Sequence, residues 1–508
     1  MINFVEFCKC DSRSCGLDKE WVMEHIINSL KISIMTILLS SIFVSCSTRE
    51  SNHLMVKEPW SDGMVLQQNS STLICGRSKP SSNVYIITSW DKKRYRTAAE
   101  ESGVWRLHID TPSASYAKRN IIVKSKGEIL CIKNILVGEV WIAGGQSNME
   151  MPLAGYFDSP VEGYEELLTL PNMEDKVRMF TVGVTESFEP LYDVAKTEGW
   201  KGACSQTLPQ MSAVAFFFAY TLSEKLDIPI GIISLARGGS IVESWLPKEI
   251  LQEYDYEPLD EKSILESSEW GRPYVLYNGM QRCVAGYAAR GFIWYQGCSN
   301  VRKSDGYADK LTRMVSLWRN DWGDKDESMP FYQVEILPYQ YGNSDRGTIV
   351  RDAQHLAAKQ IPNGGIVVTD DLAYPHERTN VHPSNKRPIG RRLAYLALNR
   401  DYGFNTINCY SPEATDAWVE GDMVFVKLTN AWNGLDRWEG IKGLEISGAD
   451  GIFYPVSEAL YDWDHILKIK SEKVKKPVEV RYCYRDFAPG NLHNTVGLPV
   501  APFRFVFE

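Results

Sequence analysis

The chain has 508 residues, 44% of them hydrophobic and 23% charged, with a formal net charge of -9. That length exceeds one typical core, so two to four domains are expected. The acidic balance argues against a nucleic-acid partner, which wants a basic face.

The chain opens with a segment that belongs to no fold. Residues 32–44, ISIMTILLSSIFV, form an apolar run without a charge, too short to span a bilayer and suited to a signal-peptide core. Lys31 supplies a positive flank, and the run ends in Ser45-Cys46, as at a bacterial lipoprotein cleavage site where the cysteine is lipidated. Phe43 replaces the usual leucine of that site, so ordinary signal cleavage nearby is the competing reading. Residues 1–22 carry acids and three cysteines, unlike a signal's basic start, which makes Met23 the expected initiator. Residues 1–46 are therefore read as an export segment. The mature protein is expected in the periplasm or at the cell surface, touching the membrane only through a lipid on Cys46.

Between residues 55 and 136, short strand-like runs alternate with turn signals about every ten residues: STLICGRS, SNVYIITSW, GVWRLHI and NIIVKSKGEILCIKNILVG. That rhythm predicts a small β-sandwich. From Gly138 the rhythm changes. VAFFFAYTLSEKLD reads as helix, IPIGIISLA as buried strand, RGFIWYQG as strand and YADKLTRMVSLWRNDW as amphipathic helix. PFYQVEIL, VRDAQHLAAKQ, GGIVVTDD and RPIGRRLAYLALN continue the alternation. Strands alternating with helices predict a doubly wound, mostly parallel α/β sheet, here assigned to residues 137–402. Short strands return in 405–508, a second β domain. The 15 Trp and 25 Tyr mostly fill β cores, although aromatics also line sugar sites.

Of the 11 cysteines, the seven past Cys46 are scattered without a CxxC pair, and no HExxH or phosphate-cradling Gly loop occurs. Neither a metal nor another cofactor is expected.

In parallel sheets, ligands bind at the carboxyl ends of the strands. Four segments should meet there: GGQSNMEM around Ser147, SLARGGSIVESW with Arg237-Gly238-Gly239, WYQGCSN with Gln296, and TNVHPSNKRPIGRRLA with His382. Ester hydrolysis needs that inventory. A serine hydroxyl needs a base, histidine titrates in the right range, and the oxyanion needs donors fixed in advance. Gly144-Gly145 would let the chain turn at Ser147, with Asn148 fixing the turn. Plain alternatives exist for each residue: a serine N-cap, a histidine helix cap, an ordinary βα turn, and a glutamine satisfying buried backbone.

GEVWIAGGQSNMEMPL, SLARGGSIVESWLP, FIWYQGCSN and VHPSNKRPIGRRLA together resemble the bacterial sialate O-acetylesterase family, carbohydrate esterases of the SGNH/GDSL hydrolase superfamily. The likeness extends to EPWSDGMVLQQNS near the start and APGNLHNTVGLPVAPFRF near the end. The resemblance implies an SGNH-type catalytic domain between two β-sandwich-like domains. It implies Ser147 as nucleophile, His382 as base, and the Ser147 N–H, the Gly239 N–H and the Gln296 side chain as oxyanion donors. Gly238 and Asn300 are the runners-up for the last two roles. Glu243 and Trp245 match the family pattern and are read as pocket structure.

The chain departs from the family twice. Cys298 stands where the family commonly has glutamate, and Asn380 where it commonly has aspartate. The group that orients His382 is thus open: Asp371, Asp370, Glu377, a backbone carbonyl or none. Asp371, at the end of GGIVVTDD, is the first choice. The implied activity is removal of O-acetyl groups from sugars, with sialic acid as the family's substrate and Arg237 a candidate for its carboxylate. Acetylated xylan or another polysaccharide is the alternative substrate. A glycan-binding protein with an impaired catalytic centre is the alternative class.

Overall fold

The computed structural model describes residues 53–507 apart from 343–344, 437–439 and 463. The expectations for Met23 and Cys46 fall outside the described residues.

The first strands are β1 (Met55–Val56), β2 (Val65–Gln67), β3 (Ser71–Arg77), β4 (Asn83–Thr88), β5 (Arg94–Ala98), β6 (Val104–Asp110) and β7 (Ser115–Ser125). β1, β3 and β6 form one small antiparallel sheet. β5, β4 and β7 join the first half of a long strand, β8 (Glu128–Gly145). The apolar run 120–138 is thus a hairpin, turned at Lys126-Gly127, where both residues have positive φ.

β8 then continues without a break into a second sheet. Its first half pairs antiparallel with β7; its second half pairs in parallel with β11 (Ile230–Ala236) and β12 (Gly291–Tyr295). The full order is β10-β9-β11-β8-β12-β13-β14, with β9 (Met173–Thr181), β10 (Trp200–Ala203), β13 (Phe331–Val334) and β14 (Gly364–Val367). Only β10 runs antiparallel to its neighbour. β9, β10 and β11 lie on one side of β8, with β11 returning to pair with it, and β12, β13 and β14 step outward on the other. The winding therefore reverses at β8, and the carboxyl end of β8 lies at the switch point where such sheets bind ligands.

Alternation along the strands explains why both faces are covered. On β12, Phe292 and Trp294 point into one core and Ile293 and Tyr295 into the other. On β8, Val140 and Ile142 oppose Trp141 and Ala143 in the same way. The first core receives Leu311, Met314 and Trp318 from a helix spanning Tyr307–Asp321, and Val350 and Ala357 from one spanning Arg346–Gln360. The second receives Phe216–Phe218 from Ala213–Leu226 and Leu393 and Leu396 from Arg387–Asp401. The mixed α/β character and every helix expected between 214 and 399 are present. β9 was not legible: Glu174, Asp175, Lys176 and Arg178 interrupt its apolar pattern, and after Met173 continuous burial resumes only at Val177.

Beyond residue 412 two four-stranded antiparallel sheets enclose a separate core that includes Val424, Ile446, Leu467 and Val480. This region is tied to the central sheet: Asp486 accepts from the Gly347 N–H (2.7 Å), and the Arg351 guanidinium donates to the carbonyls of Cys483 and Arg485.

Candidate active site

The end of β8 is shaped by close backbone approach. Gly145 has φ +139°, and a Cβ there would sit 2.2 Å from the Tyr295 carbonyl oxygen, so only glycine fits. Gln146 follows, extended and buried. Its N–H donates to Tyr295 O (2.9 Å), and its Oε1 accepts from the Gly297 N–H (2.9 Å). The chain then enters a single helical turn, α1 (Ser147–Glu150), which starts at a partly exposed Ser147.

Two contacts bring the His382 loop to this turn. Asn148, buried, donates from Nδ2 to the Val381 carbonyl (3.0 Å), while its Oδ1 accepts from Lys386 Nζ (2.5 Å). Tyr156 donates to the Ser147 carbonyl (3.2 Å) and sets its ring edge-on to the His382 imidazole, with centroids 4.9 Å apart. Asn148 therefore spends its side chain not on its own turn, as expected, but on joining the serine and histidine segments. Asn380 works on the same loop through the backbone. Its Oδ1 accepts from the His382 N–H (2.9 Å) and its Nδ2 donates to the His382 carbonyl (3.0 Å).

The imidazole Nε2 is buried with no partner, and Nδ1 makes no hydrogen bond among the described residues. Burial, helped by the Lys386 charge, lowers the His382 pKa to about 4, with Asp158 pulling the other way. The ring is therefore neutral at pH 7, the state a base requires. Lys386 is itself buried, which brings its pKa down to about 7.

The other wall comes from the loop after β11. Arg237 donates its N–H to the Gly145 carbonyl (3.1 Å). The Gly238 N–H is committed to Glu150 Oε2 (2.6 Å). A Cβ on Gly238 would lie 3.6 Å from the Ser147 Cβ, which fixes how closely the two loops meet. Gly239 has φ +73° with the Trp270 ring packed against it, and its N–H has no acceptor among the described residues, nor has that of Ser147. Two of the three expected oxyanion donors thus have no acceptor among the described residues. The Arg237 guanidinium lies 4.4 Å over the Trp270 ring, and Trp270 is 54% exposed.

Five expected residues are reassigned. Gln296 is 0% exposed and its Nε2 is spent on Ser240 O (3.0 Å) and Asn300 Oδ1 (2.7 Å). It is a strut under the Gly238-Gly239 turn, not a free oxyanion donor. Asn300 is no better placed, because its Nδ2 donates to Glu243 Oε2 (2.9 Å). Asp371 does not face His382. Arg392 grips its two oxygens at 2.8 and 2.6 Å, and His493 Nε2 lies 3.1 Å away. Although burial works against it, this pairing holds the Asp371 carboxyl below the usual range. Glu377 is equally committed, to the Tyr374 N–H, the Ser384 N–H and the Ser384 hydroxyl. Asp370 is sealed in the interior, where burial and the Asp371 charge push its pKa far up.

Glu243 and Trp245 are supporting residues, as read. Glu243 pairs with Lys310 Nζ (2.9 Å) and Trp245 Nε1 donates to Ser240 Oγ (3.1 Å). Tyr156, Trp270, Lys310 and the role of Lys386 were missed. Lys386 lies inside a motif singled out for its histidine; Trp270 sits in a polar stretch, SSEWGR, with no signal of its own. Among the described residues no group of three or more His, Cys, Asp or Glu is arranged to hold a metal ion.

Comparison with known proteins bears on this geometry. The family model for sialic acid-specific acetylesterases, which are carbohydrate esterases, matches residues 137–399. Mouse sialate O-acetylesterase is 25% identical over 403 residues, covering 69% of this chain and 74% of the relative. The human enzyme is 24% identical over 388 residues, covering 69% and 71%. A carbohydrate acetylesterase from Xanthomonas citri superposes with a TM-score of 0.78 at 28% identity, covering 89% of this chain and all of the other.

Proposed function

Because the chain belongs to the sialic acid-specific acetylesterase family of carbohydrate esterases, we propose that it is a serine esterase that removes O-acetyl groups from sialic acid. The observation that carries the site assignment is the Asn148 bridge, which holds the loop of a neutral His382 against the turn bearing Ser147. In this reading the imidazole takes the Ser147 proton as the hydroxyl attacks the acetyl carbonyl. The Ser147 and Gly239 N–H groups receive the oxyanion. His382 returns the proton to the sugar oxygen, and water then hydrolyses the acetyl-enzyme by the same route. The helical turn beginning at Ser147 is too short for its dipole to matter; fixed N–H geometry does the stabilising.

Arg237, a cation at the rim stacked on an exposed ring, is the group in this reading that meets the sialate carboxylate. The central sheet is the SGNH-type domain, with sandwich-like domains at 55–136 and 405–508. The protein is exported and anchored through Cys46.

The test is acetate release from O-acetylated sialic acid and, in parallel, from acetylated xylan. Ser147→Ala should remove turnover on the preferred sugar and leave the fold intact. Retention of more than about a hundredth of the activity would overturn the nucleophile assignment. Faster turnover of xylan would overturn the substrate.

A further inference from the structure

His382 is left without an orienting group by every residue considered so far. Asn380 spends its side chain on the backbone of His382, and Asp371 and Glu377 are bound elsewhere. Glu150 is fixed on the Gly238 N–H and Glu162 on the Tyr374 hydroxyl (2.8 Å). A serine-esterase base without a partner at Nδ1 has neither its tautomer fixed nor its imidazolium stabilised.

One carboxylate remains on this side of the site. Tyr156 and Ser159 close a tight two-residue turn, Tyr156 N–H to Ser159 O (2.9 Å) and Ser159 N–H to Tyr156 O (3.2 Å). Both anchors of the turn touch the histidine loop: the Tyr156 ring lies against the imidazole, and the Ser159 hydroxyl donates to Asn380 Oδ1 (3.1 Å). The tip consists of Phe157 and Asp158. Asp158 is exposed, and its one hydrogen bond among the described residues is with the Ser159 hydroxyl (3.2 Å), which is shared with Asn380. Phe157 projects into solvent, 108% exposed.

We propose that Asp158 is the positioning carboxylate for His382, supplied by this turn in place of the aspartate that the family pattern puts at position 380. The inference rests on the esterase reading of Ser147 and His382. Asp158 does not bond the ring in the structure. Giving up its long bond to Ser159 frees the carboxylate to rotate toward Nδ1. The competing charge near the ring is Lys386, which works against the imidazolium; Asp158 works for it. An exposed acid at a turn tip would thus be engaged when a bound sugar closes the site.

The experiment compares wild type, Ser147→Ala, Asp158→Asn, Asn380→Asp and the Asp158→Asn/Asn380→Asp double variant on acetylated sialic acid. Asp158→Asn should lower kcat by about 100-fold or more with little change in KM, since losing such a carboxylate costs up to about 10⁴ in a serine protease. The acid limb of its kcat profile, which reports the substrate-bound enzyme, should move to lower pH. Asn380→Asp should restore most of the loss in the double variant, which a purely structural role for Asp158 would not allow. If Ser147→Ala is dead while Asp158→Asn stays within threefold of wild type with the same pH profile, the inference fails and the esterase reading stands. If Ser147→Ala is active, both fail.

Discussion

Lys310→Met tests the frame beneath the Gly238-Gly239 turn. Lys310 Nζ lies 2.9 Å from Glu243 Oε1, with side chains 10% and 0% exposed. Its only other acceptor among the described residues is the Asp305 carbonyl, at 3.2 Å. At an effective dielectric of about 20 the gross attraction across that distance is on the order of 6 kcal/mol. Most of it offsets the desolvation of the two charges, so it is not the net value of the pair. Methionine removes the cation and leaves Glu243 buried, with the Asn300 amide as its remaining donor. Stranding one partner of such a pair costs about 3–5 kcal/mol. Protonation is the escape, and neutralising an ordinary carboxyl at pH 7 costs about 4 kcal/mol, which sets a ceiling. The expected loss is therefore about 3–4 kcal/mol, read by urea unfolding. Lys310→Met/Glu243→Gln should recover about half, because it removes the stranded charge. Turnover should fall with stability in the single variant, since Val242 N–H and Ser240 O hang on the same network through Asn300 and Gln296. A loss under about 1 kcal/mol, or a double variant no better than the single, would refute the reasoning.

Three further outcomes follow from the geometry. Asp371→Asn should leave kcat within about threefold while costing about 3–5 kcal/mol in urea unfolding, because Arg392 loses its buried partner; a tenfold fall in kcat at unchanged stability would return Asp371 to the chemistry. The acid limb of wild-type kcat/KM should lie near pH 4, where His382 is held, so activity persists from pH 7 to about 5 and falls only as the ring gains its proton; a limb at pH 6–7 would contradict the burial of the ring. Cys46→Ser should move the protein from the membrane to the soluble fraction of a bacterial host, and an unchanged distribution would favour ordinary signal cleavage.

What the sequence disclosed depended on whether a residue's role is local. Apolar runs such as GIISLA and GFIWY are strands because all their residues are buried on two faces, and that pattern survives in the letters. Gly144-Gly145 before Ser147 is legible for a similar reason: a turn at a strand end needs small residues. Side-chain partners are not local. Gln296 at a strand end looks like a free donor until Tyr307, eleven residues on, and Ser240, far upstream, claim it. Asp371 does not end a strand as expected: β14 stops at Val367, and Asp371 lies in the following turn, where Arg392 and His493 hold it from the next helix and the C-terminal region. Tyr156 and Asp158 sit in a turn whose meaning comes only from what lies across it.

The unbroken β8 has a practical consequence for anyone dissecting the molecule. The strand that delivers Ser147 at one end is paired at the other with β7. Val65 to Gln67 also lie alongside it at the crossing, against Leu136 to Gly138. A fragment trimmed to the family-matched residues 137–399 would begin inside this strand, severed from both neighbours and with Val140 and Ile142 stripped of part of their cover. Such a fragment should express poorly and aggregate through its uncovered edge. Recombining the N-terminal layer with a relative's catalytic block demands a splice outside β8, before Glu128 or beyond Gly145, since any cut within it must match hydrogen-bond register on two sheets at once.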